Sequence, residues 1–280
     1  MLAAFDTTRV ELAGSALVVT TARNPSDAML RDAQMVSSRL GAPLVARSST
    51  SLKRVLGDVG VEFAYVVARE PGGTAVRHEL CRRVDDRRLF AHPRQWRQAQ
   101  ASGFREAPLA RALCPPGAAE PLHIIDATAG LGGTALRIAH TFGCRVTAVE
   151  VSAPLACLLE YGMRSLAAQQ AKPWAAAAQR VTVVHAEAGA YLAQQPSRAC
   201  AVYLNPCMDV RRKDSEDEFL QQIARLTPIS SSCLESALGA ATQRVVMRTP
   251  RGSSPPLLSG IEPTERLVGR QSDFLRYELT

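Results

Sequence analysis

The stretch Asp126-Ala127-Thr128-Ala129-Gly130-Leu131-Gly132-Gly133-Thr134 holds the most chemical promise in this 280-residue chain. Glycines let a backbone turn tightly and approach a ligand, and the helix expected to follow would offer free N–H groups and a positive dipole end. Gly130, Gly132 and Ala135 fit the loose GxGxx(G/A) spacing, a weak signal by itself. Glu150 stands 20 residues beyond Gly130, at the end of an apolar run. A carboxylate there can accept both hydroxyl hydrogens of a ribose. Together these residues describe a nucleoside site that NAD and S-adenosylmethionine would fit equally well. The plainer reading is a structural glycine turn with a capping acid.

Val202-Tyr203-Leu204-Asn205-Pro206-Cys207-Met208 separates the two cofactors. It places Asn-Pro at the carboxyl end of a later strand, the side on which doubly wound sheets bind ligands. The pair resembles the Asn/Asp-Pro-Pro-aromatic motif of amino-methyltransferases. An exocyclic base amine is a poor nucleophile because its lone pair is delocalised into the ring. The Asn205 side-chain oxygen and the Pro206 carbonyl would hold its two hydrogens and aim the lone pair at a sulfonium methyl. Orientation and electrostatics of this kind are worth several powers of ten in rate. By itself, Asn-Pro at a strand end is only a turn signal.

The elements that must position these residues follow from the hydrophobic pattern. Strands alternate with helices from Pro121 onward: 122–126, 145–150, 181–186, 201–205 and 244–248 read as strands, and 131–142, 153–169, 188–194, 216–225 and 232–240 as helices. Segments 265–268 and 274–279 read as a closing antiparallel pair. Such alternation means a mostly parallel sheet covered on both faces. Ala175 to Ala178 reads as a loop-flanking insertion. Upstream, strands at 16–21, 43–46, 63–68 and 74–80, with helices from Ala28 and from Thr50 or Ser51, make a small α/β domain. The expected organisation is therefore a small α/β domain over 1–80, a basic linker and helix over 81–117, and a Rossmann-like domain over 118–280.

Apolar residues at 46% are enough to bury a sizeable core, and the net charge of +7 favours a polyanionic partner. Of 33 cations, 30 are arginines, a bias that a GC-rich genome would also give. Eight of them lie between Arg77 and Arg105, interleaved with Phe90, His92, Trp96 and Phe104. That mixture suits phosphate contact with base stacking, and Arg94, Arg97 and Arg105 are the expected nucleic-acid-facing cations. A solvated linker is the plainer alternative. Seven scattered cysteines without a CxxC pair fit a reducing compartment, the cytoplasm, or the mitochondrial matrix for a eukaryotic protein. No apolar run reaches membrane-spanning length, and the five histidines show no metal-ligand spacing. The expectation is neither a membrane nor a metal partner.

Taken in order, DATAGLGGTALRIA, GCRVTAVE, VTVVHAEA, VYLNPCM, RVVMRTP and the closing FLRYEL resemble the RsmJ-type family. These are class I S-adenosylmethionine-dependent methyltransferases acting on guanine N2 of small-subunit ribosomal RNA. The resemblance runs from about residue 60 to the end and implies a class I sheet with an antiparallel carboxyl-terminal strand. It implies S-adenosylmethionine as cofactor, with Asp126, Thr128, Gly130, Gly132, Gly133 and Thr134 lining its site. Glu150 and Val151 would hold the ribose and flank the adenine, with Glu187 and Ala188 at the adenine edge and Asn205 between cofactor and target amine. Arg211, Arg212 and Lys213 would meet RNA phosphates, although Asp214 and Glu216 to Glu218 suit a solvated helix start equally well. Arg248 and Arg251 are weaker candidates of the same kind. The implied partner is small-subunit ribosomal RNA or a ribosomal assembly intermediate.

The chain departs from the family pattern at Asn205-Pro206-Cys207-Met208-Asp209, where the family has Asp-Pro-Met-Phe-Pro, and at Gly133-Thr134, where it has Arg-Asp. Losing the phenylalanine removes a stacking surface for a flipped base. These changes define an alternative: a methyltransferase-like ribosomal RNA-binding assembly factor that no longer methylates. A small-molecule methyltransferase is a third reading.

Overall fold

A computed structural model describes residues 11–12, 15–47, 49–70, 73, 75–90, 107–117, 119, 121–169, 174–195, 198–205, 219, 223, 229–253 and 260–279. The chain divides into two compact units, Met1–Ala91 with Arg212–Arg225, and His92–Arg211 with Leu226–Thr280.

The first unit is a five-stranded sheet in the order β1 (Glu11–Leu12), β2 (Ser15–Thr21), β3 (Phe63–Arg69), β4 (Val76–Arg82) and β5 (Arg88–Leu89). Only β2 and β3 run parallel. Helix α1 (Asp27–Leu40) starts where the Ser26 hydroxyl accepts from the Met29 N–H and stops at Gly41, whose φ of 60° suits glycine. Its buried residues Met29, Ala33, Val36 and Leu40 recur at helical spacing. Helix α2 (Leu52–Val59) puts Leu52 and Leu56 into a cluster with Val18, Ala64, Val66 and Cys81 on one sheet face. The expected strand at 43–46 is a single parallel bridge between Val19 and Leu44. This unit reaches residue 91, beyond the boundary expected at 80, because β4 continues to Arg82 and β5 pairs with it. Phe219 and Ile223 also belong to it, both buried and helical, and the Phe219 ring stacks on Phe63 with centroids 5.9 Å apart. The rest of the helix expected over 216–225 lies outside the described residues.

The second unit opens with α3 (Pro108–Leu113), where Pro108 occupies the first turn, the one place a helix tolerates it. Its seven strands are β6 (His123–Asp126), β7 (Arg145–Glu150), β8 (Val181–His185), β9 (Ala199–Leu204), β10 (Ala241–Pro250), β11 (Glu265–Val268) and β12 (Ser272–Glu278). They lie in the order β11-β12-β10-β9-β6-β7-β8. β8, β7, β6, β9 and β10 are parallel, and β12 runs antiparallel between β10 and β11. The parallel core strands are nearly continuous apolar runs because helices cover both faces.

The connecting helices are α4 (Gly133–Phe142), α5 (Ala153–Ala167), α6 (Ala175–Ala178), α7 (Ala188–Ala193) and α8 (Ser231–Ala240). The alanine run read as a loop-flanking insertion is a helical turn, with Ala175, Ala177 and Ala178 buried and packed against α4 and α5. Alanine is the strongest helix former, and its small side chain lets backbones approach closely.

The sheet's sequence order reverses at β6. The chain moves from β6 to β7 and β8 on one side, then returns to lay β9 on the other. Ligands of open α/β sheets bind at such a switch point, beyond the carboxyl ends of the strands.

Candidate functional site

Register brings the chemical residues together. Asp126 of β6 is paired with Tyr203 of β9 on one side and with Ala148 of β7 on the other. The turn leaving β6 is stitched to both neighbours: the Ala127 N–H donates to Tyr203 O at 2.9 Å, and the Ala129 N–H donates to Val149 O at 2.8 Å. The Asn205 N–H donates to Thr128 Oγ1 at 2.6 Å. Asn205 and the glycine turn, 77 residues from Thr128 in sequence, are therefore neighbours in space.

The glycines have different work. Gly132, at φ 76°, faces α5, and a Cβ there would run into Leu159 Cδ1 and Met163 Cε. It is a packing residue as well as a turn residue. Gly130, at φ 55°, has open space where a Cβ would point, so its outer side can be approached by a ligand. Gly133 and Thr134 open α4, whose amino terminus carries no side-chain cap. Its first N–H groups are available to an acceptor.

Glu150 is 5% exposed. Its Oε2 accepts from the Gly130 N–H at 2.9 Å and its Oε1 from the Ser152 N–H at 2.8 Å. Burial raises its pKa, while the N–H groups of Ser152, Gly130 and Val151 pull it down. Each carboxylate oxygen accepts more than one hydrogen bond, so capacity remains after the turn is satisfied. Val151 beside it is 38% exposed, an apolar surface at a strand end.

Asp126 is 1% exposed, and its Oδ1 takes the Thr128 N–H at 3.4 Å. Its Oδ2 is buried without a partner, as is Ser152 Oγ. Burial pushes Asp126 up to about 7; the Thr128 N–H opposes the shift, and the nearby Glu150 carboxylate adds to it.

Glu187 also shapes its own helix. It is the N-cap of α7, with Oε1 accepting from the Gly189 N–H at 2.9 Å and Oε2 from the Ala190 N–H at 2.6 Å. Ala188 begins that helix. Arg248, read from sequence as the last residue of a strand and a weaker candidate phosphate contact, sits within β10. Met247 pairs with Leu204, which sets Arg248 beside Asn205. Its Nη1 donates to Asn205 Oδ1 at 3.4 Å and its Nε to Ser272 Oγ at 2.8 Å. No local motif marks this role, because it depends on strand pairing.

The expected RNA contacts Arg94, Arg97, Arg105, Arg211, Arg212 and Lys213, and the carbonyl of Pro206, lie outside the described residues, as do Cys207, Met208 and Asp209. Four of the other arginines in the basic stretch pair with local acids. Arg77 and Arg88 meet Glu79, Arg82 and Arg87 meet Asp85, and Arg88 also meets Asp86. Among the described residues, no group of His, Cys, Asp and Glu could hold a metal ion, and no helix is long and apolar enough to cross a membrane.

An orphaned buried carboxylate oxygen, a glycine with open space above it and a glutamate with acceptor capacity form one cradle around the switch point. Its donors and acceptors fit a nucleoside cofactor bearing an amino-acid tail. Over 93% of this chain and 95% of the other, the structure matches the crystal structure of a SAM-dependent methyltransferase from Neisseria gonorrhoeae, at 21% identity and a TM-score of 0.62. The fold is thus that of a class I S-adenosylmethionine-dependent methyltransferase. A family model described as "Putative SAM-dependent methyltransferase" matches residues 89–278. The protein named Ribosomal RNA small subunit methyltransferase J from Hydrogenovibrio crunogenus is 32% identical over 230 residues, 80% of this chain and 76% of that one. Its namesake from Thioalkalivibrio sulfidiphilus is 27% identical over 257 residues, 90% of this chain and 94% of that one. The chain belongs to this RsmJ-type family of SAM-dependent methyltransferases.

Proposed function

We propose that the protein methylates small-subunit ribosomal RNA, with the exocyclic N2 amine of a guanine as acceptor. The observation that carries this reading is the Thr128–Asn205 hydrogen bond, which fixes the amide-bearing strand end against the glycine turn. The relatives' name supports the RNA class.

When bound, S-adenosylmethionine supplies an electrophilic methyl group on its sulfonium. The remaining lone pairs of Glu150 accept the ribose hydroxyls, and Val151 gives the adenine an apolar face. Gly130, Gly132, Gly133 and Thr134 present the turn and the first N–H groups of α4, and Thr128 holds the turn to Asn205. Asp126 offers its unpartnered oxygen to the polar tail. Ala188 lines the adenine edge, and Glu187 acts there through the helix start that it caps. Asn205 Oδ1 and the Pro206 carbonyl accept the two hydrogens of the target amine and direct its lone pair. No strong base is required, since the methylated amine readily loses a proton. Arg94, Arg97, Arg105, Arg211, Arg212 and Lys213 are proposed phosphate contacts. The substrate is free RNA or an assembly intermediate, which places the protein in the cytoplasm with the assembling ribosome. The non-catalytic alternative leans on Met208 and Asp209, outside the described residues, and on Gly133-Thr134, which open α4 without disrupting it.

Methyl incorporation from labelled S-adenosylmethionine into small-subunit RNA tests the reading. Replacement Asn205→Ala is expected to lower kcat by about 10²–10³-fold, the scale for losing one preorganised hydrogen-bonding group. Cofactor affinity should stay within about threefold, well under the cost of a lost charged hydrogen bond. Wild-type protein that binds the cofactor yet methylates no small-subunit RNA would overturn the proposal.

A further inference from the structure

The first unit holds a buried acid that methyl transfer does not use. Glu79 is 1% exposed on β4. Arg77 Nη2 stands 2.8 Å from its Oε2, and Arg88 Nη1 donates to Oε1 at 2.9 Å. Arg77, Glu79 and Cys81 alternate onto one face of β4, and Arg88 pairs with Cys81, so it projects from the same face. Arg77 is close to Glu79 but out of hydrogen-bond alignment, and its buried Nε has no partner. The guanidinium also lies 5.5 Å from the Phe90 ring centroid, a cation–π contact.

Arg47 lies between Val45 and α2, both packed in the cluster that holds Cys81, and its Nε donates to Thr50 O at 3.2 Å. Burial, and then the guanidiniums of Arg23 and Arg88, hold Arg47 below its ordinary pKa, while Cys81 and Glu79 oppose them. Arg23 follows the carboxyl end of β2 and is exposed. Arg77 and Arg88 thus stand against Glu79, Arg88 Nη2 also lies 3.3 Å from Asp86, and Arg47 and Arg23 are near enough for charge to be felt between them and this pair. Among the described residues neither Arg23 nor Arg47 forms an ion pair. Gathering cations against their mutual repulsion is unfavourable unless an anion joins them.

We infer that Arg23, Arg47, Arg77 and Arg88, arranged around Glu79, form a phosphate-binding surface for the backbone of the RNA substrate. Guanidinium forks match phosphate oxygens, and each carries five N–H donors, of which Glu79 engages a minority. Glu79 fixes Arg77 and Arg88 in place, so less side-chain freedom is lost when RNA binds. The inference rests on the RNA methyltransferase reading and adds where that RNA is gripped.

The test uses the full chain with Arg23→Gln and Arg47→Gln combined, and a second variant with both changed to Glu. Anisotropy titrations of a small-subunit RNA transcript between 50 and 200 mM salt give affinity and its salt slope, and calorimetry gives S-adenosylmethionine binding. The double Gln variant should bind RNA about tenfold more weakly, with the slope of log K against log salt shallower by roughly 1.4, about 0.7 per lost single-strand contact. The double Glu variant should bind more weakly still, and both should bind cofactor as wild type does. RNA affinity and slope equal to wild type in the Gln variant would overturn this surface and leave the methyltransferase reading standing. Wild-type protein that binds cofactor but no RNA would overturn both.

Discussion

The most buried carboxylate of each unit, among the described residues, is 1% exposed, and the two are treated in opposite ways. Glu79, in the first unit, is flanked by two guanidiniums. Asp126, in the second, has one backbone N–H on one oxygen and nothing on the other, with a second acid close enough to raise its pKa. Leaving a buried charge uncompensated is costly, and a group so placed holds its proton or waits for a partner. Glu79 behaves as an anchor that organises cations. Asp126, at the strand ends where the sheet order reverses, is the acid for which we propose a partner that arrives with a ligand.

The largest expected effect that tests this contrast is pH-dependent. Burial raises Asp126 to about 7 from an ordinary 3.8. Between those values the folded protein keeps a proton that the unfolded chain has released. Stability contributed by this group is therefore highest at low pH and falls as pH rises through the window. A window about three pH units wide corresponds to at most about 4 kcal/mol. Urea unfolding of cofactor-free protein at pH 5 and pH 8 should show Asp126→Asn losing much of this slope, with gained stability relative to wild type at pH 8. Glu150, raised in the same direction by burial, supplies part of what remains. An unchanged slope in the variant would put the titration elsewhere and remove the contrast between the two acids.

Replacing the anchor should act through stability. Glu79→Gln keeps an acceptor but removes the charge between Arg77 and Arg88, at a cost of about 2 kcal/mol. Arg88 is 38% exposed and can turn toward water, which keeps the cost below that of breaking a fully buried pair. The denaturation midpoint reads it. A midpoint equal to wild type would show that the two arginines do not depend on the acid, and Glu79 would lose its role as organiser.

What could be read from sequence was local. The glycine turn, Glu150 and Asn-Pro are recognisable because each needs particular residue types within a few positions. The alternation of strands and helices likewise carries its own period. Arg248 could not be found this way. At the end of a strand it is one more candidate phosphate contact, and only the pairing of β10 with β9 sets it beside Asn205. Glu187, which the family resemblance marks for the adenine edge, is in addition a helix cap, its carboxylate accepting from the Gly189 and Ala190 N–H groups. Arg82, Arg87 and Arg88 look like linker charge, but the turn between β4 and β5 brings acids to them. In each case the decisive partner is set by register or by a turn.

The smallest expected effect concerns the orientation of the Asn205 amide. Arginine carries only donors, so the amide must present its oxygen to Arg248 and cannot flip without losing the contact. Ser272 Oγ, at 2.8 Å from Arg248 Nε, holds the guanidinium in turn. The target amine would use a remaining lone pair of that same oxygen, so Arg248 serves as a positioning residue. Arg248→Met frees the amide to rotate and should lower kcat about tenfold, equivalent to about 1.4 kcal/mol, with the KM for S-adenosylmethionine unchanged. Arg248→Lys retains one point donor and should recover part of the loss. A general loss of packing would instead raise KM and lower the denaturation midpoint together, without rescue by lysine. Equal kcat in all three proteins would show that Thr128 alone positions Asn205, and that the active strand end needs no cation beside it.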